Sequence, residues 1–144
     1  MRASVFYRIA AVLILLFDVA HTLAFRQADP TWGVDTVRAS MQSIHFNVQG
    51  FNRTYWDFFV GAGFNVSVFL LFTAVITWQI GGLPAETLTR VRGIGWALAL
   101  CFVALTLLSW RYFFIPPLVF SILIAVCLII AVWLSAKPRA ANES

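Results

Sequence analysis

Asp18 and His21 stand three residues apart inside one apolar run, and Asp57, Gly61 and Asn65 recur every four residues at the start of another. Positions three or four apart share a helix face, so each set makes one polar stripe on an apolar helix. A carboxylate beside an imidazole can exchange protons with a ligand, because burial and nearby charge tune such groups. A lone carboxylate near the centre of a membrane helix costs about 2.5–3.5 kcal/mol. Asp18 must therefore be paired, neutralised or in contact with water. Two readings follow: a pocket that takes a ligand, or a structural lock in which Asp18 pairs with His21 or Arg53. Intramembrane ionisable groups favour the pocket.

The elements that must position these residues are membrane helices. The chain has 144 residues, 61% hydrophobic and 11% charged, whereas soluble domains are about 45–50% apolar and roughly a quarter charged. A soluble fold of this length would have no polar surface left to wear. Apolar runs place four helices at about residues 5–25, 56–80, 93–110 and 114–134, each near the length that crosses a bilayer. The expected fold is all-α, a single four-transmembrane-helix bundle. Helix 1 also has the length of a signal-peptide core, but no clean cleavage site follows it, and it is taken as a span.

The long polar connection after helix 1 opens with Asp29-Pro30-Thr31, a turn and a helix start. Val34, Val37, Met41, Ile44 and Val48 then recur at spacings of three and four. That stripe predicts a short amphipathic helix over about Thr31 to Gln49, lying in the headgroup plane or folded back over the bundle and ended by Gly50. Gly81-Gly82-Leu83-Pro84 breaks the chain after helix 2, a short polar loop follows from Glu86 to Arg92, and Pro116-Pro117 opens helix 4. The end of the chain is expected to be loose.

Nine Arg and one Lys face six acids, and these cations cluster at the ends of apolar runs. They read as topology signals, with no nucleic-acid footprint. Arg2, Arg8, Arg90, Arg92, Lys137 and Arg139 fall on one side, and Arg26, Arg38, Arg53 and Arg111 on the other. The bias places both termini in the cytoplasm. Arg over Lys with many Ala suggests a GC-rich bacterial genome, and with the apolar runs the expected location is a bacterial inner (cell) membrane.

Depth follows from a rise of about 1.5 Å per residue. With helix 1 running outward, His21 lies roughly 6 Å and Asp18 roughly 10 Å below its outer end. With helix 2 running inward, Gly61 lies roughly 8 Å and Asn65 roughly 14 Å down. The two polar stripes then meet through Asp18 and His21 against Asp57, Gly61 and Asn65, with Gly61 allowing close approach. His45, Arg53 and Tyr55 approach from the connection. The candidate ligand-binding set is Asp18, His21, His45, Arg53, Tyr55, Asp57 and Asn65.

Helices 3 and 4 carry only Thr106, Ser109, Ser121, Cys101 and Cys127 and read as scaffold. The cysteines lack any CxxC or ligand spacing and read as small hydrophobes. No HxxH or HxxxH spacing supports a metal, no cofactor motif identifies a cofactor, and Asn52-Arg53-Thr54 and Asn65-Val66-Ser67 match the glycosylation pattern by chance.

Ala20-His21-Thr22, Arg53-x-Tyr55-Trp56-Asp57-Phe58 and Gly61-x-Gly63 resemble a pattern in small uncharacterised bacterial four-helix membrane proteins. In size and layout the chain is also similar to DoxX-like proteins. That resemblance implies four helices and, as in some members, a redox or quinone-linked partner.

Two functions remain open. One is a binding or accessory protein that holds a lipid-like molecule, a quinone or a partner membrane protein at the outer half of helices 1 and 2. The alternative is a small membrane-embedded enzyme using Asp18, His21 and Asp57 for acid–base chemistry. The absence of a Gly-rich phosphate loop, HExxH or G-x-S-x-G favours the first.

Overall fold

The computed structural model of the chain describes residues 3–136. In order, the elements are α1 (Ala3–Ala24), a 3-10 turn (Pro30–Trp32), α2 (Asp35–Ser43), strands β1 (His45–Val48) and β2 (Phe51–Thr54), α3 (Tyr55–Ile80), α4 (Ala85–Arg90), α5 (Arg92–Tyr112) and α6 (Ile115–Ser135). Four of these helices, α1, α3, α5 and α6, are long and apolar enough to cross a membrane. Only 17% of the most apolar window of α3 is buried within the protein, and 39% of that of α6. Most of this apolar surface therefore has no protein neighbour, as a lipid solvent allows and water does not. Arg2, Lys137, Arg139 and the expected loose tail lie outside the described residues.

Contacts divide the chain into two units, Asp18–Leu70 and the pair of segments Met1–Phe17 and Leu71–Ser144. The two-segment unit is built on α5 and α6, which pack along one another. Gly95 and Ala99 of α5 and Ala125 and Ala131 of α6 are buried, and such small residues let membrane helices approach closely. Tyr7 uses this space: a side chain at Gly95 would run into the Tyr7 hydroxyl and Val132. The Tyr7 hydroxyl bonds the side chain of Ser135, so a buried polar tip is satisfied as burial requires. Phe17 stacks on Phe120 with ring centres 5.4 Å apart. Thr106 bonds the Phe102 carbonyl at 2.8 Å, four residues back, which is how a hydroxyl lives inside such a helix. The stretch expected to be a polar loop before α5 is instead the six-residue helix α4. Thr89 ties it to the end of α6 through the Ser135 carbonyl at 3.0 Å.

The connection within Asp18–Leu70 departs further from expectation. Asp29 does cap a turn, accepting from the Thr31 amide at 2.8 Å and its hydroxyl at 2.6 Å. The helix predicted over residues 31–49 covers only the nine residues of α2, however, and the rest folds as an antiparallel hairpin. Its register pairs His45 with Thr54 and Val48 with Phe51. The reason is local. Ile44, Phe46 and Val48 alternate with His45 and Asn47, so the stretch carries strand periodicity as well as helical spacing. Gln49 (φ 52) and Gly50 (φ 91) form a two-residue loop with both φ values positive, the geometry that suits the twist of a hairpin. Asn47 Oδ1 accepts from the Gly50 amide at 2.9 Å. Gly50 is thus a hairpin turn, not a helix end, and the chain is mostly rather than wholly helical.

Candidate functional site

The residues selected from the sequence all belong to Asp18–Leu70, and they fall into separate groups there. The first group joins α1 to α3. Asp18 is 7% exposed, and Thr22 donates to its Oδ1 at 3.3 Å. Thr22 Oγ1 and Ser67 Oγ lie 2.6 Å apart. Each hydroxyl has one proton, so with Thr22 committed to Asp18 the Ser67 proton goes to Thr22. In that arrangement the donation runs Ser67 to Thr22 to Asp18; the Ser67 hydroxyl also lies 3.4 Å from the Gly63 carbonyl, the acceptor it uses if Thr22 gives its proton to Ser67 instead. His21 Nε2 lies 3.1 Å from the Gly63 carbonyl; a carbonyl only accepts, so that nitrogen carries the proton in this contact.

Phe25 completes the group. Its ring stacks on His21 at 5.2 Å and meets Phe64 edge-on at 5.3 Å. It occupies the space where a β-carbon on Gly63 would stand. A β-carbon on Gly61 would meet nothing within 4 Å. The close approach expected at Gly61 is therefore made at Gly63, and Ser67 stands where Asn65 was expected. The contact falls two residues from the expected pairing, a rise of about 3 Å, but two residues turn a helix by roughly 200°, which exchanges its faces. The polar groups of the other face already have partners. Asp57 Oδ2 accepts from the Thr54 amide at 2.8 Å and its hydroxyl at 3.0 Å, while Thr54 Oγ1 accepts from the Asp57 amide at 3.1 Å. This reciprocal cap starts α3. Asn65 Nδ2 donates to the Gly61 carbonyl at 3.0 Å and is exposed.

His45, Arg53 and Tyr55 cluster on the hairpin and the residue after it. His45 Nδ1 meets the Ser43 carbonyl at 2.9 Å, and Arg53 donates to the Asn52 carbonyl at 2.8 Å. Both act electrostatically on Asp57. The Tyr55 ring packs on Phe46 at 5.0 Å and remains 64% exposed.

One cleft in this unit involves residues that sequence reasoning used only for topology. A cleft of about 410 Å³ is lined by Arg26, Gln27, Arg38, Gln42 and Trp56, with Leu23 and Val60 beside them. A second cavity of about 170 Å³ shares Arg26, Gln27, Arg38 and Trp56 and is otherwise apolar, with Val34, Val37 and Met41 among its walls. The Arg38 guanidinium lies 4.9 Å above the Trp56 ring, and that of Arg26 lies 5.5 and 5.2 Å from the Phe25 and Phe64 rings. The signal in the sequence was the pair Arg26 and Arg38 on either side of the Asp29-Pro30 turn. Ser67, four residues after Gly63, was legible in the same way.

Among the described residues, no group of three or more His, Cys, Asp and Glu is placed to hold a metal ion. Compared with known proteins, the chain matches no family model, no curated protein and no solved structure.

Proposed function

We propose that this is a multi-pass membrane protein that binds a lipid-like molecule without turnover, at the outer half of its first two spans. The supporting observation is the cleft of about 410 Å³ beside Trp56, polar where Arg26, Arg38 and Gln42 stand and continued by an apolar cavity. Amphiphile sites combine such walls with few convergent polar groups. The cleft gathers the end of α1, the body of α2 and the start of α3, where Trp and Arg suit a membrane–water boundary. On this reading α2 and the hairpin lie in the headgroup plane, the four spans form one bundle, and both termini are cytoplasmic in a bacterial inner membrane.

The acid–base alternative draws less support. Asp18 accepts from the Thr22 hydroxyl and Asp57 caps α3 through Thr54, so each already has a structural contact. The likeness in layout to DoxX-like proteins makes a quinone or a partner membrane protein the rival occupant of the same cleft. Mass spectrometry of lipids extracted from the purified protein tests the reading. One lipid class enriched over the surrounding membrane is expected; bulk membrane composition, or a stoichiometric quinone or protein subunit, would contradict it. Reporter fusions at Gly33 and at the C-terminus are expected on opposite sides, and the same side would remove the topology.

A further inference from the structure

Arg26 and Arg38 share one cleft, and neither has a carboxylate partner among the described residues. No Asp or Glu lines the cleft or the apolar cavity beside it. Two like charges facing one concavity repel unless an anion comes between them. Each guanidinium rests against aromatic rings, Phe25 and Phe64 for Arg26 and Trp56 for Arg38. A ring accepts no N–H in the way a carboxylate does, so a guanidinium beside one keeps N–H donors for a ligand. Gln42 adds an amide, whereas Gln27 already donates to the Leu23 carbonyl at 2.9 Å.

We infer that this cleft binds a phosphate ester of net negative charge, held by Arg26 and Arg38 together. The inference rests on the lipid-like ligand proposed above and supplies its chemistry. A carboxylate presents its two oxygens in one plane, so two guanidiniums on different sides of a cleft must share them in that plane. A phosphate ester presents oxygens in tetrahedral directions and can accept from two guanidiniums on different sides. The volume exceeds a bare anion, and the adjoining cavity along Val34, Val37 and Met41 gives an apolar portion a place to lie. The ester can come from two sources, the headgroup of an anionic phospholipid or a soluble phosphate ester.

The test titrates the full chain in neutral detergent with dioctanoyl phosphatidylglycerol, dioctanoyl phosphatidylcholine and glycerol phosphate, read by native mass spectrometry. Phosphatidylglycerol is expected to bind about tenfold tighter than phosphatidylcholine, the scale of one charge-assisted hydrogen bond. Arg26→Gln and Arg38→Gln should each abolish that preference, and Arg111→Gln should keep it. Glycerol phosphate binding as tightly as phosphatidylglycerol assigns the soluble source; phosphatidylglycerol binding alone assigns the lipid. Equal binding of the two lipids, with no glycerol phosphate bound, overturns the inference and leaves the lipid-binding reading standing. No binding of any of the three defeats both. An unchanged preference in a folded Arg26→Gln/Arg38→Gln double variant also overturns it, and if that variant fails to fold, the comparison of ligands on the unaltered chain decides.

Discussion

The two units of this chain are held together by different physics. In the unit of Met1–Phe17 and Leu71–Ser144 lie nearly all the buried hydrophobic residues, from Tyr7 and Ile14 to Phe102, Leu128 and Val132. Asp18–Leu70 contributes only Leu70 to that set, and its buried polar residues are Asp18, Thr54 and Ser67. The first unit is a packed apolar core with small-residue notches. The second is a set of hydrogen-bonded and aromatic contacts around a cleft. Units with few buried apolar contacts open more readily, and binding surfaces are drawn from that end of the stability range. The contrast is what the proposal of a scaffold in one region and a ligand site in the other requires.

Glycine substitutions should break the comparison most visibly. Gly95→Leu puts a side chain into the Tyr7 hydroxyl and Val132, and is expected to cost about 3 kcal/mol, the upper range for overpacking. Gly61→Leu enters open space and should change stability by less than about 0.5 kcal/mol. Thermal unfolding in detergent measures both. Comparable losses would mean that α3 turns its Gly61 face inward after all.

Hydroxyl deletions should then differ in sign between the units. Thr77 Oγ1 is fully buried with no hydrogen-bond partner among the described residues. Thr77→Val removes that unsatisfied group and is expected to stabilise by about 1 kcal/mol. Ser67→Ala, which cuts the donation to Thr22 and Asp18, should destabilise by about 1 kcal/mol. Equal signs in the unfolding shifts would erase the distinction.

The smallest expected effect is at the Asp29 turn. The Thr31 hydroxyl, and after it the Thr31 amide, hold the Asp29 carboxyl below its ordinary value of 3.8. A depressed folded value means that the turn's stabilisation is fully present above the ordinary value and fades as pH falls through the lower one. Thr31→Val should move the carboxyl titration, followed by NMR, back toward 3.8.

The four spans were legible because about twenty apolar residues admit one solvent and one regular structure. The hairpin was not, because Ile44 to Val48 satisfies both periodicities, and the positive φ of Gln49 decides between them. That α1 meets α3 through Asp18 and His21 was legible, and which face of α3 they meet was not. Reasoning from the cost of burying polar groups turned Asp57 and Asn65 inward, but a cap and an i−4 carbonyl had already satisfied them. Phe25 needed a neighbour without a side chain, and that requirement selected Gly63. Arg26 and Arg38 are far apart in sequence, and only the turn between them brings both to one cleft.

The most direct test compares Asp18→Asn with Arg38→Gln for retention of bound lipid, measured on folded protein by native mass spectrometry. Asp18 is held by Thr22, not by His21 or Arg53 as expected, and stands in the α1–α3 contact, whereas Arg38 lines the cleft. Asp18→Asn should therefore keep the lipid while lowering the unfolding temperature, and Arg38→Gln should lose the lipid with the fold intact. Lipid lost from folded Asp18→Asn and retained by Arg38→Gln would contradict that division of roles and return the binding site to Asp18 and His21.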